Sequence, residues 1–248
     1  MKLITLNAWG GVVHEPLLEF IKKYSNEIDI FCFQEVFSGE KTARSYLGKV
    51  QLNIFSEMQN ILPGFNGYHA PAQEGDVGGL AIFVKKSITV NKIEHKILYE
   101  ESKIITDEKD KNYFSMGRDL QRLEFNHLGK TYTILNFHGM WVAGGKGNTE
   151  KRMEQSEKIR KIFDESKGAK ILCGDLNQIP STKSMSILNE GNRNLIQEYN
   201  IDSTRSALYK KSEKFADYMI VSQQIEVKDF KVLREEVSDH LPLYLEFN

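Results

Sequence analysis

Cysteine, proline and tryptophan are scarce in this chain, whose 248 residues hold two, five and two of them. Cys32 and Cys173 both sit inside apolar runs. Two such cysteines make no disulfide framework and read as core thiols of a reducing compartment. No stretch approaches the roughly 18–20 apolar residues needed to cross a bilayer. Asn7 and Gly10 interrupt the N-terminal apolar stretch before it could serve as a signal peptide, so the expectation is a cytoplasmic protein. An excess of one charge is missing too. Thirty-three basic against 34 acidic side chains give a net charge of −1, which excludes a protein held on nucleic acid by bulk charge and leaves room for a local basic patch. Repeats, low-complexity tracts and linkers rich in Pro, Gly or Ser are absent as well, and residues 1–248 are expected to form one domain.

What is present is ordinary globular patterning, with 40% hydrophobic and 27% charged residues, enough for one substantial core. Leu3 to Trp9 alternates apolar with polar residues and predicts a strand. Glu15 to Asn26 predicts a short amphipathic helix with Pro16 in its first turn. Ile28 to Val36 reads as a buried strand, and a long helical pattern runs from about Thr42 to Ile61, ended by Pro63-Gly64. Short strands are predicted at Gly79 to Lys85, Ile88 to Ile93, Arg122 to Phe125 and Thr131 to Phe137. The charged stretch Glu94 to Asn112 reads as a solvated hairpin or loop. Thr149 caps a predicted helix reaching Ser166. Beyond it come a strand at Lys170 to Cys173, a short helix near Ser181 to Leu188, and strands at Phe215 to Val221, Val227 to Leu233 and Leu241 to Phe247. Many strands with helices spread among them argue for sheet packed on sheet with helices outside.

Polar residues at strand ends are the informative ones. Asn7 ends the first strand, Gln34-Glu35 ends Ile-Phe-Cys-Phe, and His138 ends Thr-Ile-Leu-Asn-Phe. Gly174-Asp175-Leu176-Asn177 ends Lys-Ile-Leu-Cys, Asp217 lies in Phe-Ala-Asp-Tyr-Met-Ile-Val, and Ser238-Asp239-His240 precedes the final strand. Singly, each has a plain structural reading. Glu35 can be a cap, Asp175 and Asn177 an Asx turn, His138 a hydrogen-bonded core histidine, and Asp217 the partner of a lysine. Together they argue for chemistry. Asp175 and Asn177 are two apart and in extended chain would share a side. Glu35 and Asp239 add carboxylates and Asn7 a carbonyl oxygen, an all-oxygen set that suits Mg²⁺ or Mn²⁺ better than zinc. A clustered His/Cys set is lacking, as is a Gly-Lys-Ser/Thr phosphate loop. Gly144 to Thr149 comes nearest to one with the wrong spacing, and reads equally as an active-site loop or a turn.

The order Asn7, Gln34-Glu35, His138, Gly174-Asp175-Leu176-Asn177, Asp217-Tyr218, Ser238-Asp239-His240 resembles the endonuclease/exonuclease/phosphatase (DNase I-like) superfamily, over residues 3 to 247. The resemblance implies an α+β fold, a four-layer α/β/β/α sandwich with the site where both sheets open at one end. It implies a metal-dependent phosphoesterase, foremost a phosphodiesterase, using Mg²⁺ or Mn²⁺. In its terms Glu35 is the principal metal ligand with Asn7 and Asp239 close to the ion. Asp175 and Asn177 position and activate a water. His240, oriented by Asp217, stands at the scissile phosphate, and His138 contacts phosphate or protonates the leaving oxygen. Asp175 and His240 both qualify as the base. Arg118 stands where several relatives carry a phosphate-contacting arginine, with a surface salt bridge to Asp119 or Glu124 as the other reading. Arg152 and Gln155 are expected to brace the loop after His138.

For the substrate, Leu6-Asn7-Ala8-Trp9-Gly10 and Gln34-Glu35-Val36-Phe37 look most like the sphingomyelinase-type branch. Asn136-Phe137-His138-Gly139, in place of the Tyr-x-Pro motif of abasic endonucleases, argues against abasic-site repair. Arg205 to Lys214 carries four basic residues against one acidic with Tyr209 among them; it suits a phosphodiester backbone or a solvated loop. The ranking is a phosphodiesterase on a substrate that is nucleic acid or phospholipid, then a nuclease or DNA-end-processing enzyme, then a lipid or inositol phosphatase. A catalytically inactive binding module is the alternative from another class. The default is a monomer.

Overall fold

Alternation along the strands sets the layers of the molecule. The computed structural model describes residues 1–39, 50–71, 78–99, 118–141 and 145–248, with the backbone alone at Tyr99 and Arg118. Its elements in chain order are β1 (Lys2–Asn7), α1 (His14–Tyr24), β2 (Ile30–Val36), α2 (Ile54–Ile61), β3 (Phe65–Ala70), β4 (Gly79–Lys85), β5 (Val90–Tyr99), β6 (Arg118–His127), β7 (Lys130–His138), α3 (Glu150–Glu165), β8 (Ala169–Asp175), α4 (Lys183–Asn189), β9 (Arg193–Asn194), α5 (Leu195–Glu198), β10 (Asp217–Val221), β11 (Val227–Val232) and β12 (Leu243–Phe247). They form two six-stranded sheets, ordered β11-β12-β1-β2-β4-β3 and β5-β6-β7-β8-β10-β9. Both are mixed, since β1 runs parallel to β2 and β7 to β8 while their other neighbours are antiparallel.

Successive residues of one strand divide between two apolar clusters. Ile4, Leu6, Phe31, Phe33, Ala81 and Phe83 pack on Leu17, Phe20 and Ile21 of α1 and Ile54 and Met58 of α2. Leu3, Ile30, Cys32, Ile82 and Val84, from the same strands, join Leu123, Phe125 and Ile171 of the second sheet. That second cluster also takes Ile159 and Phe163 of α3 and Met185 and Leu188 of α4. Each fully buried Phe or Leu contributes roughly 1.5–3 kcal/mol relative to exposure. The result is two sheets flanked by helices, the α/β/β/α sandwich that the resemblance implies. Both cysteines are free and buried. Among the described residues, no helix is long and apolar enough to cross a membrane.

Polar ties join the sheets beneath the strand ends. Gln34 Nε2 donates to Asn136 Oδ1 at 2.7 Å and to Thr5 Oγ1 at 3.1 Å, and Asn136 Nδ2 donates to Phe33 O at 3.0 Å. These bonds fix how β2 and β7 lie over one another, which a purely apolar interface leaves looser.

Local signals place most elements well. Thr149 accepts a hydrogen bond from Arg152 N at 3.1 Å, as a helix cap should. Pro16 lies in the first turn of α1. The structure departs from expectation where cross-strand partners decide. The charged residues from Glu94 onward continue β5 as far as Tyr99, because Glu94 pairs with Lys92 at 2.7 Å and with Arg122 of β6 at 3.5 Å. The rest of that stretch, 100–117, lies outside the described residues. The first strand ends at Asn7, and Trp9–Gly11 forms a 3₁₀ turn in which all three residues take positive φ. The long predicted helix is α2 alone within the described residues; residues 50–53 precede it, and 42–49 lie outside them.

Candidate active site

Strand register gathers the polar strand ends into rows. His138 lies opposite Asp175 on the parallel pair β7/β8, and Asp217 lies opposite Asp175 on β8/β10. In the other sheet Asn7 lies opposite Gln34. Arg118 opens β6 at the same end, two residues before Leu120, the partner of Phe137; its side chain lies outside the described residues.

Glu35 reaches the cleft through a bulge. In an unbroken strand, Phe31, Phe33 and residue 35 would share the helix-facing side. Instead the pairing with β4 slips between Gln34 and Val36, and Glu35 adopts φ 55°. Val36 thereby joins Phe31 and Phe33 in the helix-side cluster, and the carboxylate turns the other way. Gly78, at φ 139°, lies against it so closely that a Cβ would stand 2.7 Å from Glu35 Cα.

Asp175 is the hub. Its Oδ2 accepts from Asn7 Nδ2 at 3.1 Å, and the same amide donates to Glu35 Oε1 at 3.0 Å. His138 Nε2 stands 3.8 Å from Asp175 Oδ2 and 3.9 Å from Glu35 Oε1. Asp175 Oδ1 accepts from Asn177 N at 2.8 Å. That bond is an Asx turn, and β8 ends at Asp175 with Asn177 at φ 52°. The two side chains therefore meet through a turn rather than along extended chain, because the Asp carboxylate captures the N–H two residues on. Asn177 Nδ2 ties the turn to Gly139 O at 3.1 Å.

On the far side of Asp175, His240 Nδ1 donates to Asp217 at 2.8 Å, and its Nε2 stands 3.6 Å from Asp175 Oδ2 and 3.8 Å from Asp239 Oδ1. Burial and the charge of Arg205 work against the imidazolium. Asp217, Asp239 and Asp175 outweigh them and hold the His240 pKa above its ordinary 6.5. Burial likewise opposes the Asp175 carboxylate, but His240, Lys146, His138 and Arg205 together keep its pKa well below the usual range.

A sequence profile of the Endonuclease/Exonuclease/phosphatase family matches residues 4–240. The chain belongs to this family. Solved structures of similar shape include Bacteroides thetaiotaomicron VPI-5482 mannosyl-6-phosphatase Bt3783, at 17% identity and TM-score 0.72, covering 100% of this chain and 99% of that one. D. rerio TDP2 humanized by 14 mutations matches at 13% identity and TM-score 0.71, covering 100% and 98%. The human Nocturnin catalytic domain with bound sulfate anion matches at 17% and 0.65, covering 100% and 93%. At such identities these likenesses speak to the fold. No curated protein matches the chain in sequence.

These side chains have the donor chemistry of a hard-cation centre. Asp175, Asp217 and His240 bring ligand atoms within 4.8 Å of one another. Two of them are already hydrogen-bonded together, which leaves the Glu35 and Asp175 oxygens around Asn7 as the oxygen-rich part. Asn7 turns its NH₂ to those carboxylates while its Oδ1 accepts from Trp9 N at 2.9 Å. Asp239 lies by Arg205, whose Nη1 is 3.3 Å from its Oδ2, and by His240 Nε2, 3.8 Å from its Oδ1.

The structure singles out residues in two segments whose sequence reading stays open, Gly144 to Thr149 and Arg205 to Lys214. Lys146 is buried beside the acids and donates to Phe215 O at 3.0 Å. Arg205 Nη1 also contacts His240 Nε2. Thr204 Oγ1 accepts from Ala216 N and Asp217 N, while Ser206 Oγ donates to Ser238 O at 2.6 Å, so this segment sews β10 to the His240 turn. The signals available were faint, a lysine between two glycines and the first residue of a basic segment. Arg152 and Gln155 do brace their loop. Gln155 Oε1 accepts from Met140 N at 2.9 Å, and Arg152 donates to Gly147 O at 2.6 Å and Gly145 O at 3.0 Å.

Proposed function

We propose that this protein is a divalent-metal-dependent phosphoesterase that cleaves phosphodiesters by in-line attack of an activated water. The Asp217–His240 pair, hydrogen-bonded at 2.8 Å and facing Asp175, carries this reading. Glu35, Asn7 and Asp239 would hold Mg²⁺ or Mn²⁺, Asn7 by turning its Oδ1 to the cleft. When bound, the ion supplies Lewis-acid stabilisation of charge developing on a phosphoryl oxygen.

With Nδ1 engaged by Asp217, His240 would take the proton of the attacking water at Nε2 once Arg205 Nη1 has left that nitrogen. Asp175 and Asn177 hold that water in place. Its oxygen bonds to phosphorus as the bond to the leaving oxygen breaks. His138, on the opposite flank of Asp175, contacts the phosphate and protonates the leaving oxygen, and Arg118 adds a phosphate contact. Residues 1–248 act in this reading as one catalytic domain and as a monomer.

Glu35, Asp175, Asp217 and Asp239 set four carboxylates against two cations, Lys146 and Arg205. A bound divalent cation would bring that balance to neutrality, so the charge count does not separate diesters from monoesters. Among diesters a nucleic-acid strand is favoured over a phospholipid. The Arg205 guanidinium lies 4.0 Å over the Tyr209 ring and Lys211 Nζ 5.2 Å from the Trp141 ring, the mixed cationic and aromatic rim that suits stacked bases. Among the described residues, the exposed large hydrophobics Ile97, Leu128 and Tyr199 stand on separate segments, and Leu128, at the tip of the β6–β7 hairpin, is a single leucine with no aromatic beside it for lipid insertion.

The test is hydrolysis of bis(p-nitrophenyl) phosphate and p-nitrophenyl phosphate with Mg²⁺, with Mn²⁺ and with EDTA. Metal-dependent cleavage of the diester, lowered about 10²- to 10⁴-fold in His240→Ala, is expected. Faster cleavage of the monoester would move the assignment to a phosphatase, the chemistry in the name of the B. thetaiotaomicron neighbour. Failure on both esters, with no Mg²⁺-dependent rise in melting temperature, would leave the binding module.

A further inference from the structure

We propose that Lys146 and Arg205 form a two-cation clamp for the non-bridging oxygens of the substrate phosphate, an inference that rests on the phosphoesterase reading above. Lys146 is 95% buried, with a relative exposure of 5%. Its ammonium carries three N–H donors, and its hydrogen-bond acceptor among the described residues is Phe215 O alone. Although it stands among acids whose charge acts on it, Asp175 and Asp217 in particular, no carboxylate of the described residues lies within ion-pair distance of its Nζ. Neutralising a carboxylate therefore does not account for its place. Burying an ammonium with one acceptor is costly, and apolar side chains of similar volume avoid that cost.

The chain holds the lysine there deliberately. Arg152, itself 1% exposed, grips the carbonyls on either side of it, Gly145 O and Gly147 O. Thr149 caps the helix that carries Arg152.

Arg205 is fixed just as firmly from the other side. Its backbone bridges to His240, Ser206 N donates to Asp239 O at 3.2 Å, and Leu241 N donates to Thr204 O at 2.9 Å. Its side chain is 7% exposed and lies on the Tyr209 ring. Nη1 reaches Asp239 and His240, while Nε is buried with no partner. Arg205 and Lys146 also act on each other as like charges. Two buried cations with unused donors are stable beside each other when an anion lies between them, and N⁺–H···O⁻ bonds to a phosphate are the strong kind. Bound phosphate would draw Nη1 off His240 Nε2 and leave that nitrogen to the water.

Isothermal titration of inorganic phosphate in MgCl₂ buffer tests the clamp, using wild type, Lys146→Met, Arg205→Met and the surface control Lys228→Met, whose side chain pairs with Glu226. The dissociation constant should rise about tenfold or more in each of the first two variants and stay unchanged in the third, with wild-type melting curves. Where a methionine variant fails to melt cooperatively, Lys146→Gln or Arg205→Gln takes its place. Undiminished phosphate binding in either variant overturns the clamp, and so does a wild type that hydrolyses diesters without binding phosphate. Failure of the phosphoesterase reading looks different: phosphate still binds, yet no ester is turned over by the wild type.

Discussion

Glu35 and Lys146 are both charged, both buried and both part of one site, yet they are held by opposite means. Glu35 is set by main chain. A slipped register, a left-handed φ of 55° and a glycine pressed against its backbone leave its carboxylate one way to face. Lys146 is set by side chains. Arg152 grips the loop around it, and its own Nζ holds Phe215 O. The Glu35 half of the site, with Asn7 and His138, stands on strands hydrogen-bonded along their length, whereas the Lys146 and Arg205 half stands on loops held by the Arg152 grip and by the bonds of residues 204–206 to β10 and the His240 turn. Two of the three proposed metal ligands, Glu35 and Asn7, lie in the stiffer half, which suits the near-ideal geometry Mg²⁺ demands. A phosphate oxygen can be met by a long side chain from a range of positions, which suits the other.

The two halves meet at Asp217–His240, and cutting that link has the largest expected effect. Asp217→Asn removes the anion that accepts from His240 Nδ1 at 2.8 Å. Metal-dependent diester turnover should fall roughly 10³- to 10⁴-fold with the fold intact. A rate within tenfold of wild type would mean that His240 is oriented by something else.

Gly78→Ala tests the main-chain half without touching its chemistry. The added Cβ would meet Glu35 Cα at 2.7 Å, at a φ of 139° that alanine resists. A loss of about 1–3 kcal/mol in urea unfolding is expected, together with loss of the Mg²⁺-dependent rise in melting temperature. If both stay at wild-type values, the glycine is not what seats Glu35.

The side-chain half gives the smallest signal. Burial, with Arg205 adding to it against Asp175, Asp217 and Glu213, brings Lys146 from its ordinary 10.5 down to about 8. Between those two pH values the unfolded chain keeps a proton that the folded chain has released. Stability should therefore rise with pH across the window, by about 1.4 kcal/mol per pH unit at most. Urea midpoints in EDTA at pH 8, 9 and 10 should show a rise in wild type that Lys146→Met lacks. Equal slopes would deny that the ammonium is held out of water.

The same contrast explains what could be read from the residues in advance. Thr149 as a cap, Pro16 in the first turn of α1, and the alternation of Ile4, Leu6, Phe31 and Phe33 are local facts, and local chemistry suffices to predict them. Polar residues ending apolar runs marked Asn7, Glu35, His138 and Asp175 for the same reason. The extension of β5 to Tyr99 was hidden because Glu94 needs Arg122 from another strand. Asn177 was misplaced along an extended chain because the Asx turn closed by Asp175 competes with strand geometry. Arg205 reads, with the basic run to Lys214, as a phosphodiester contact or part of a solvated loop, and its backbone bridge to His240 is what sets it apart.

By itself the sequence determined the layers, the order of the motifs and the family, since each follows from periodicity and from residue types at the ends of apolar runs. Only the tertiary structure decided which way Glu35 faces and that Lys146 and Arg205 stand beside Asp175 and His240. Those outcomes depend on Gly78, Arg152, Phe215 and His240, partners that lie on other segments of the chain. Contacts of that kind leave no period in the sequence, because they are made in space after the strands have paired.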